Sequence, residues 1–187
     1  MPESNGTLRI IRQDDSLYPS VFKERLTDNS PGQLFVLGNL DLLQKTKLAI
    51  FCSKKCPGQK IIKAFDFARS LRDSQKAVIS GFHSPIEKEC LRILLRGQQP
   101  IIICPARSLE KMRVPADWRE GLAEGWLLIL SPFPVGRRRF TVELARQRNL
   151  LVTALSDEIC FIHSDPGGRI EELRELVQQW KIPIITI

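Results

Sequence analysis

Apolar residues in this chain fall into short unbroken runs separated by longer periodic stretches. Leu48-Ala49-Ile50-Phe51-Cys52, Ala77-Val78-Ile79, Pro100-Ile101-Ile102-Ile103-Cys104, Trp126 to Leu130, Glu158 to Ile162 and Ile182 to Ile187 each have the length of a strand. A strand buried on one face alternates apolar with polar, whereas one covered on both faces of a parallel sheet has no polar side. The stretches between the runs carry a helical period. From Gly58 onward Ile61, Ile62, Phe65, Ala68 and Leu71 mark one side, and Lys60, Lys63, Asp66, Arg69 and Arg72 the other. The segment from about His83 to Arg96 repeats the pattern with Ile86, Cys90, Leu91, Leu94 and Leu95, and Gly97 stops it. Further helices are predicted at Pro115 to Glu124, Val142 to Leu155 and Ile170 to Trp180. Strands alternating with helices in this way predict a doubly wound, mostly parallel α/β sheet with helices on both faces, a Rossmann-like architecture of about six core strands.

Residues Thr7 to Gly38 mix short apolar pieces with Asp, Asn, Pro and Gly. They read as an extension packed on the core, with a short strand or turn at Leu8 to Ile11 and a short helix near Val21 to Leu26. The 187 residues suit one α/β domain and are too few for two of ordinary size. The expectation is a single Rossmann-like domain over 1–187, with 1–40 as its amino-terminal extension.

Charge narrows the class of partner. With 28 Lys and Arg against 21 Asp and Glu, the chain has a net charge of +7, which favours a polyanion without identifying one. Six lysines, Lys45, Lys47, Lys54, Lys55, Lys60 and Lys63, lie between Asp41 and Asp66 with no acid among them. A second basic stretch runs Arg137-Arg138-Arg139 and on to Arg146 and Arg148. One charge run alone usually marks a solvated face, but both of these flank strand ends. In a doubly wound sheet ligands collect beyond the carboxyl ends of the strands, where helix N-termini and free N–H groups favour anions.

The candidate contacts follow from that placement. Ser53, Lys54 and Lys55 come after the first strand of the core, where lysine meets a phosphate as a point charge. Ser80-Gly81 ends the next strand, and Gly81 has no Cβ to obstruct a ligand's approach. His83 in the same turn reads as a polar helix-start residue. Phe140 beside Arg137, Arg138 and Arg139 is the combination that a sequence-tolerant single-strand groove needs, charge following the backbone while the ring stacks on a base. The alternative is a core anchor. Asp165-Pro166-Gly167-Gly168 opens a helix and can hold an anion. The five cysteines form an odd set and read as free thiols of a reducing compartment. Cys52 and Cys56 lack zinc-knuckle spacing and a second pair, so no metal is assigned. The amino terminus shows no signal peptide and no run has bilayer length, so a cytoplasmic protein without membrane contact is expected.

The order of these motifs resembles the Rossmann-like core of the DprA/Smf DNA-processing family, proteins that bind single-stranded DNA and help load the RecA recombinase. Cys52-Ser53-Lys54 stands where that family has a Gly-Ser-Arg turn. Ser80-Gly81, with Pro85-Ile86-Glu87 after it, stands where the family has Ser-Gly and then Gly-Ile-Asp. Arg148-Asn149-Leu150 before Ala154-Leu155-Ser156 is similar to Arg-Asn-Arg before Ala-Leu-Ser, and Arg139-Phe140 is the nearest equivalent of an upstream basic-aromatic element. Leu17-Tyr18-Pro19 and Leu34 to Gly38 are similar to the family's lead-in to the core. The departures are Cys52 and Pro85 for glycines, Glu87 for aspartate, and Leu91 for a histidine. The resemblance implies a non-catalytic binder of single-stranded DNA acting in DNA uptake or recombination, with a RecA-type recombinase as partner and room for a homodimer. It adds Arg148 and Asn149 to the candidate contacts. The family's flanking helical and winged-helix modules are not expected within these 187 residues.

Two rival readings stand beside it. The Pro166-Gly167-Gly168 turn resembles that of LOG-type nucleotide phosphoribohydrolases, but the second glycine and the threonine of their Gly-Gly-x-Gly-Thr loop are replaced from Arg169 on. That reading is of a nucleotide-binding or nucleotide-processing protein. The other is a protein interaction module with a degenerate pocket. No catalytic residue and no cofactor is assigned.

Overall fold

The computed structural model describes residues 7–137 and 141–187. The apolar runs become strands β3 (Lys47–Cys52), β4 (Ala77–Ser80), β5 (Ile101–Ile103), β6 (Leu127–Ser131), β7 (Glu158–His163) and β8 (Ile184–Ile185), all paired in parallel. Strands β1 (Arg9–Arg12) and β2 (Gln33–Gly38) add an antiparallel edge, because β2 pairs with β6 from Phe35 opposite Ser131 to Gly38 opposite Leu128. The spatial order is β1-β2-β6-β5-β4-β3-β7-β8. The doubly wound, mostly parallel architecture read from the sequence is present. Residues 7–40 are joined to the sheet through β1 and β2, of which β2 was not foreseen as a strand.

Helices α1 (Val21–Leu26), α2 (Gly58–Ser70), α3 (Pro85–Leu94), α4 (Arg119–Glu124), α5 (Val142–Leu155) and α6 (Arg169–Gln179) cover the two faces. Successive strand residues point to opposite faces. Leu48, Ile50 and Cys52 of β3 therefore pack with Ala64 and Ala68 of α2 and Cys90, Leu91 and Leu94 of α3. Ala49 and Phe51 pack on the other side with Phe22 of α1, Val152 and Leu155 of α5 and Leu173 and Val177 of α6. Both layers are built of apolar side chains along these strands, which explains why the central runs contain no polar position. Arg25 of α1 donates from Nη1 to the carbonyls of Ala154 and Ser156 at 2.8 and 2.7 Å, a cation on the carboxyl end of α5 that fixes that helix under the sheet.

The winding reverses at β3: its successors β4, β5 and β6 lie to one side, and β7 and β8 to the other. That reversal opens a crevice at the carboxyl ends of β3 and β7. Among the described residues no helix is long and apolar enough to cross a membrane.

Candidate functional site

The crevice encloses a cavity of about 470 Å³. Its floor comes from the ends of β3 and β7 and its walls from the starts of α3, α5 and α6. The two strand ends are tied together. Ser53 donates its N–H to the carbonyl of His163 at 3.0 Å, and its hydroxyl accepts the N–H of Asp165 at 2.9 Å. The His163 ring, in turn, lies 3.2 Å from the Asp165 carboxylate.

Across the cavity the start of α3 is held by Ser84 and Glu87. Their Ser-x-x-Glu spacing forms a capping box, with Ser84 Oγ accepting the Glu87 N–H and Glu87 reaching back to the Ser84 N–H at 3.2 Å. The Glu87 carboxylate also accepts from Cys52 N at 2.9 Å and His83 N at 2.8 Å. Three backbone donors thus converge on one buried carboxylate, which is 5% exposed. It joins the end of β3 to the turn after β4. The sequence reading gave Glu87 no role beyond a family departure. The capping signature was legible, but its bond to Cys52, 35 positions away, was not.

Arg148 is the other buried charge. It falls in the apolar stripe of α5, four positions after Leu144 and four before Val152, and is 4% exposed. Its Nη1 donates to the Cys104 carbonyl at 3.0 Å and its Nε to Asn149 Oδ1 at 2.7 Å. Burial pulls the guanidinium below its ordinary value, and the Glu87 carboxylate acts in the opposite direction. His83 is also held below its usual range, first by burial and then by the charges of Arg148, Lys88 and Lys54. Arg148, Lys88 and Lys54 thus place positive charge around His83.

Lys54 and Arg169 stand exposed on the rim, and Gly167 and Gly168 form the turn before α6. The structure therefore brings Ser53, Lys54, Arg148, Asn149, Gly167 and Gly168 around one cavity, and adds Arg169, His83 and Glu87. Lys55 is exposed next to that lining. Ser80 and Gly81 lie behind it. Ser80 is fully buried with its Oγ taken by the N–H of Phe82, and the open side of Gly81 is filled by Arg148. Phe82 itself sits at φ 46°, a left-handed conformation for an aromatic residue, with its ring in the core beneath α3. The Gly167 N–H is occupied too, by the carboxylate of Glu171, so this turn offers an anion one donor fewer than its sequence suggests.

Arg137 lies elsewhere. It lines a second cavity of about 650 Å³ on the other flank of α5, with Leu26, Phe133, Leu144, Arg146 and Gln147. Arg138, Arg139 and Phe140 lie outside the described residues. Lys54 and Arg137 line different cavities, and residues of α5 line both.

The sequence profile of the family described as DNA recombination-mediator protein A matches residues 9–169. No curated protein sequence matches the chain. Among solved structures it is similar to DNA processing protein A of Streptococcus pneumoniae, with a TM-score of 0.79 at 18% identity over 98% of this chain and 64% of that one. It thus spans less than two thirds of the pneumococcal protein. DNA processing protein A of Helicobacter pylori, for which a single-stranded DNA binding mode is described, matches with a TM-score of 0.73 at 20% identity, over 98% of this chain and 81% of that one. A molybdenum cofactor binding protein from Rippkaea orientalis shares the fold at a TM-score of 0.53 and 10% identity, covering 76% of each chain.

Proposed function

The chain belongs to the DNA recombination-mediator protein A family, and from that premise we propose that its crevice binds single-stranded DNA without catalysing a reaction on it. The observation that carries the reading is the gathering of Lys54, Arg148 and Arg169 with Asn149 around one cavity at the point where the winding reverses. Lys54 and Arg169 are exposed and take phosphates as rim charges. Arg148 and Asn149 give the α5 wall a fixed polar surface. A cavity of this size takes about one nucleotide, so the rest of a strand follows the rim. Nothing in such an arrangement reads a base edge, and little sequence preference is expected.

The test is fluorescence anisotropy with a labelled oligothymidylate, titrated from low to moderate salt. Binding that weakens steeply with salt supports the proposal, because counterions released by phosphate contacts are then retained. No binding at low salt overturns it. The same reading carries a cytoplasmic setting, a RecA-type recombinase as partner and a homodimer, all supported by family membership. Light scattering and recombinase loading onto protein-coated DNA test the last two.

A second reading is favoured by the Gly167-Gly168 turn on the same cavity, which resembles a nucleotide-phosphate loop. It makes the ligand a free nucleotide. Against it stands Glu171, whose carboxylate already holds the Gly167 N–H. Competition of oligonucleotide by mononucleotides at equal phosphate concentration separates the two.

A further inference from the structure

Three backbone N–H groups from two separate turns meet at one point of the crevice. Cys52 N, at the end of β3, donates to Oε1 of Glu87 at 2.9 Å, and the consecutive N–H groups of His83 and Ser84 donate to Oε2 at 2.8 and 3.2 Å. Converging N–H groups at a strand end and a helix start are what a doubly wound sheet ordinarily presents to a ligand phosphate. Here a side chain of the protein takes that place. A capping box asks its glutamate for one bond only, to the N-cap N–H, so the bonds to Cys52 and His83 go beyond capping. Glu87 is 5% exposed and lines the same cavity as Lys54 and Arg169.

We propose that Glu87 is a built-in anion filling a phosphate cradle, and that by filling it Glu87 turns the crevice away from phosphate monoesters and towards the diesters of a strand. The selectivity rests on the function proposed above, whereas the occupied cradle does not. A monoester carries about 1.5 to 2 negative charges near neutral pH, all on one group, and gains most from donors that converge. With Glu87 in place it meets donors already engaged and a carboxylate of its own sign. The charges of a strand are single and spread along its backbone, so separate exposed cations such as Lys54 and Arg169 suit them. The turn before α6 repeats the device, since the carboxylate of Glu171 holds the Gly167 N–H on the same cavity.

Glu87→Ala in the full chain empties the cradle and keeps Ser84 as the cap. The side chain it removes beyond Cβ is close to a phosphate group in size. Inorganic phosphate is the probe, chloride at matched ionic strength the control, and the amide NMR signals of Cys52, His83 and Ser84 the readout. Phosphate should leave all three signals in place in the unaltered protein. In Glu87→Ala it should shift all three and raise the unfolding midpoint. If the variant is unfolded in chloride, phosphate should restore its circular dichroism, which a merely structural role for Glu87 would not allow. A folded variant whose three amides ignore phosphate, an unfolded one that phosphate does not rescue, or movement of these amides in the unaltered protein overturns the cradle.

Selectivity is read by competition. Thymidine monophosphate should displace labelled oligothymidylate from Glu87→Ala at a concentration about tenfold lower than from the unaltered protein, because charge-assisted bonds to the freed donors favour it. Where the variant needs an anion to fold, thymidine monophosphate should refold it at about tenfold lower phosphate concentration than oligothymidylate. Equal concentrations in either comparison overturn the selectivity. Unaltered protein that never binds the oligonucleotide overturns the assigned function instead, and the amide signals still decide the cradle.

Discussion

Arg148 stands where a side chain on Gly81 would begin. A Cβ built on Gly81 would lie 1.2 Å from Nη1 and 1.8 Å from the guanidinium carbon. The glycine that the sequence offers as an open approach for a ligand is, in the folded chain, the seat of a buried cation. Gly81 thus serves the site by admitting Arg148.

Replacing Gly81 with Ala should expel the guanidinium from its seat and break its bond to the Cys104 carbonyl. A hydrogen bond from a charged donor at a buried site contributes about 1.5–3 kcal/mol, so a loss of that order is expected in urea unfolding. An unchanged unfolding midpoint would show that the seat is not needed.

Glu87→Gln should be costlier than its size suggests. The amide nitrogen cannot accept, so it turns a donor towards at least one of the N–H groups of Cys52, His83 and Ser84. It also removes the carboxylate that offsets the buried charge of Arg148. A loss of roughly 2–4 kcal/mol is expected by calorimetry or denaturant titration. Parent-like stability with lost DNA binding would instead make Glu87 a ligand contact.

His83 titrates below its ordinary value, and the direction fixes its pH effect. The folded pKa is depressed, so as pH falls through the unfolded value near 6.5 the unfolded state takes up a proton that the folded state resists. Stability should therefore fall with acidification from pH 7 towards the folded pKa and level off below it. The chain has only two histidines, so the ring proton of His83 can be followed by NMR with His163→Gln as the assignment control. Lys54→Ala should raise the midpoint, since Lys54 is among the charges that depress it. An unmoved midpoint places Lys54 too far away to act at this site.

The position of α5 makes a length-dependent prediction. For an oligonucleotide of about five residues, at the lower end of known site sizes, Lys54→Ala should reduce the salt slope by roughly one unit and Arg137→Ala should leave it alone. A longer strand reaches the second cavity across α5, and there Arg137→Ala should also lower the slope. Equal effects of Arg137→Ala at both lengths would mean that the two flanks form one site.

The parallel core was legible because its strands are buried on both faces and its helices on one, so each leaves its own period in the sequence. Strand β2 was not, since Leu34-Phe35-Val36-Leu37 depends on a partner in β6 almost a hundred positions away. The site was legible where a local signal exists, as in the turn at Ser53-Lys54 and in Gly167-Gly168. It was illegible where function depends on what a residue meets. Arg148 looks like one more surface arginine until the apolar stripe of α5 is seen to include it. Glu171 looks like a solvated helix residue, yet its carboxylate holds the Gly167 N–H. Arg137 belongs with Arg148 along the chain, and α5 puts them in different cavities.

The reversal of winding at β3 also governs the order in which the protein can be assembled during synthesis. Strands β3 to β6 emerge one after another and can pair at once, but the second edge of β3 stays open until β7 leaves the ribosome. A strand that ends up inside the finished sheet is thus an unprotected border for as long as it takes to make the 105 residues between Cys52 and Glu158. Its Leu48-Ala49-Ile50-Phe51 would invite a wrong neighbour. The lysines around it, Lys45, Lys47, Lys54 and Lys55, place charge at both ends of that border. Charge at the ends of an open strand disfavours pairing with a second nascent copy.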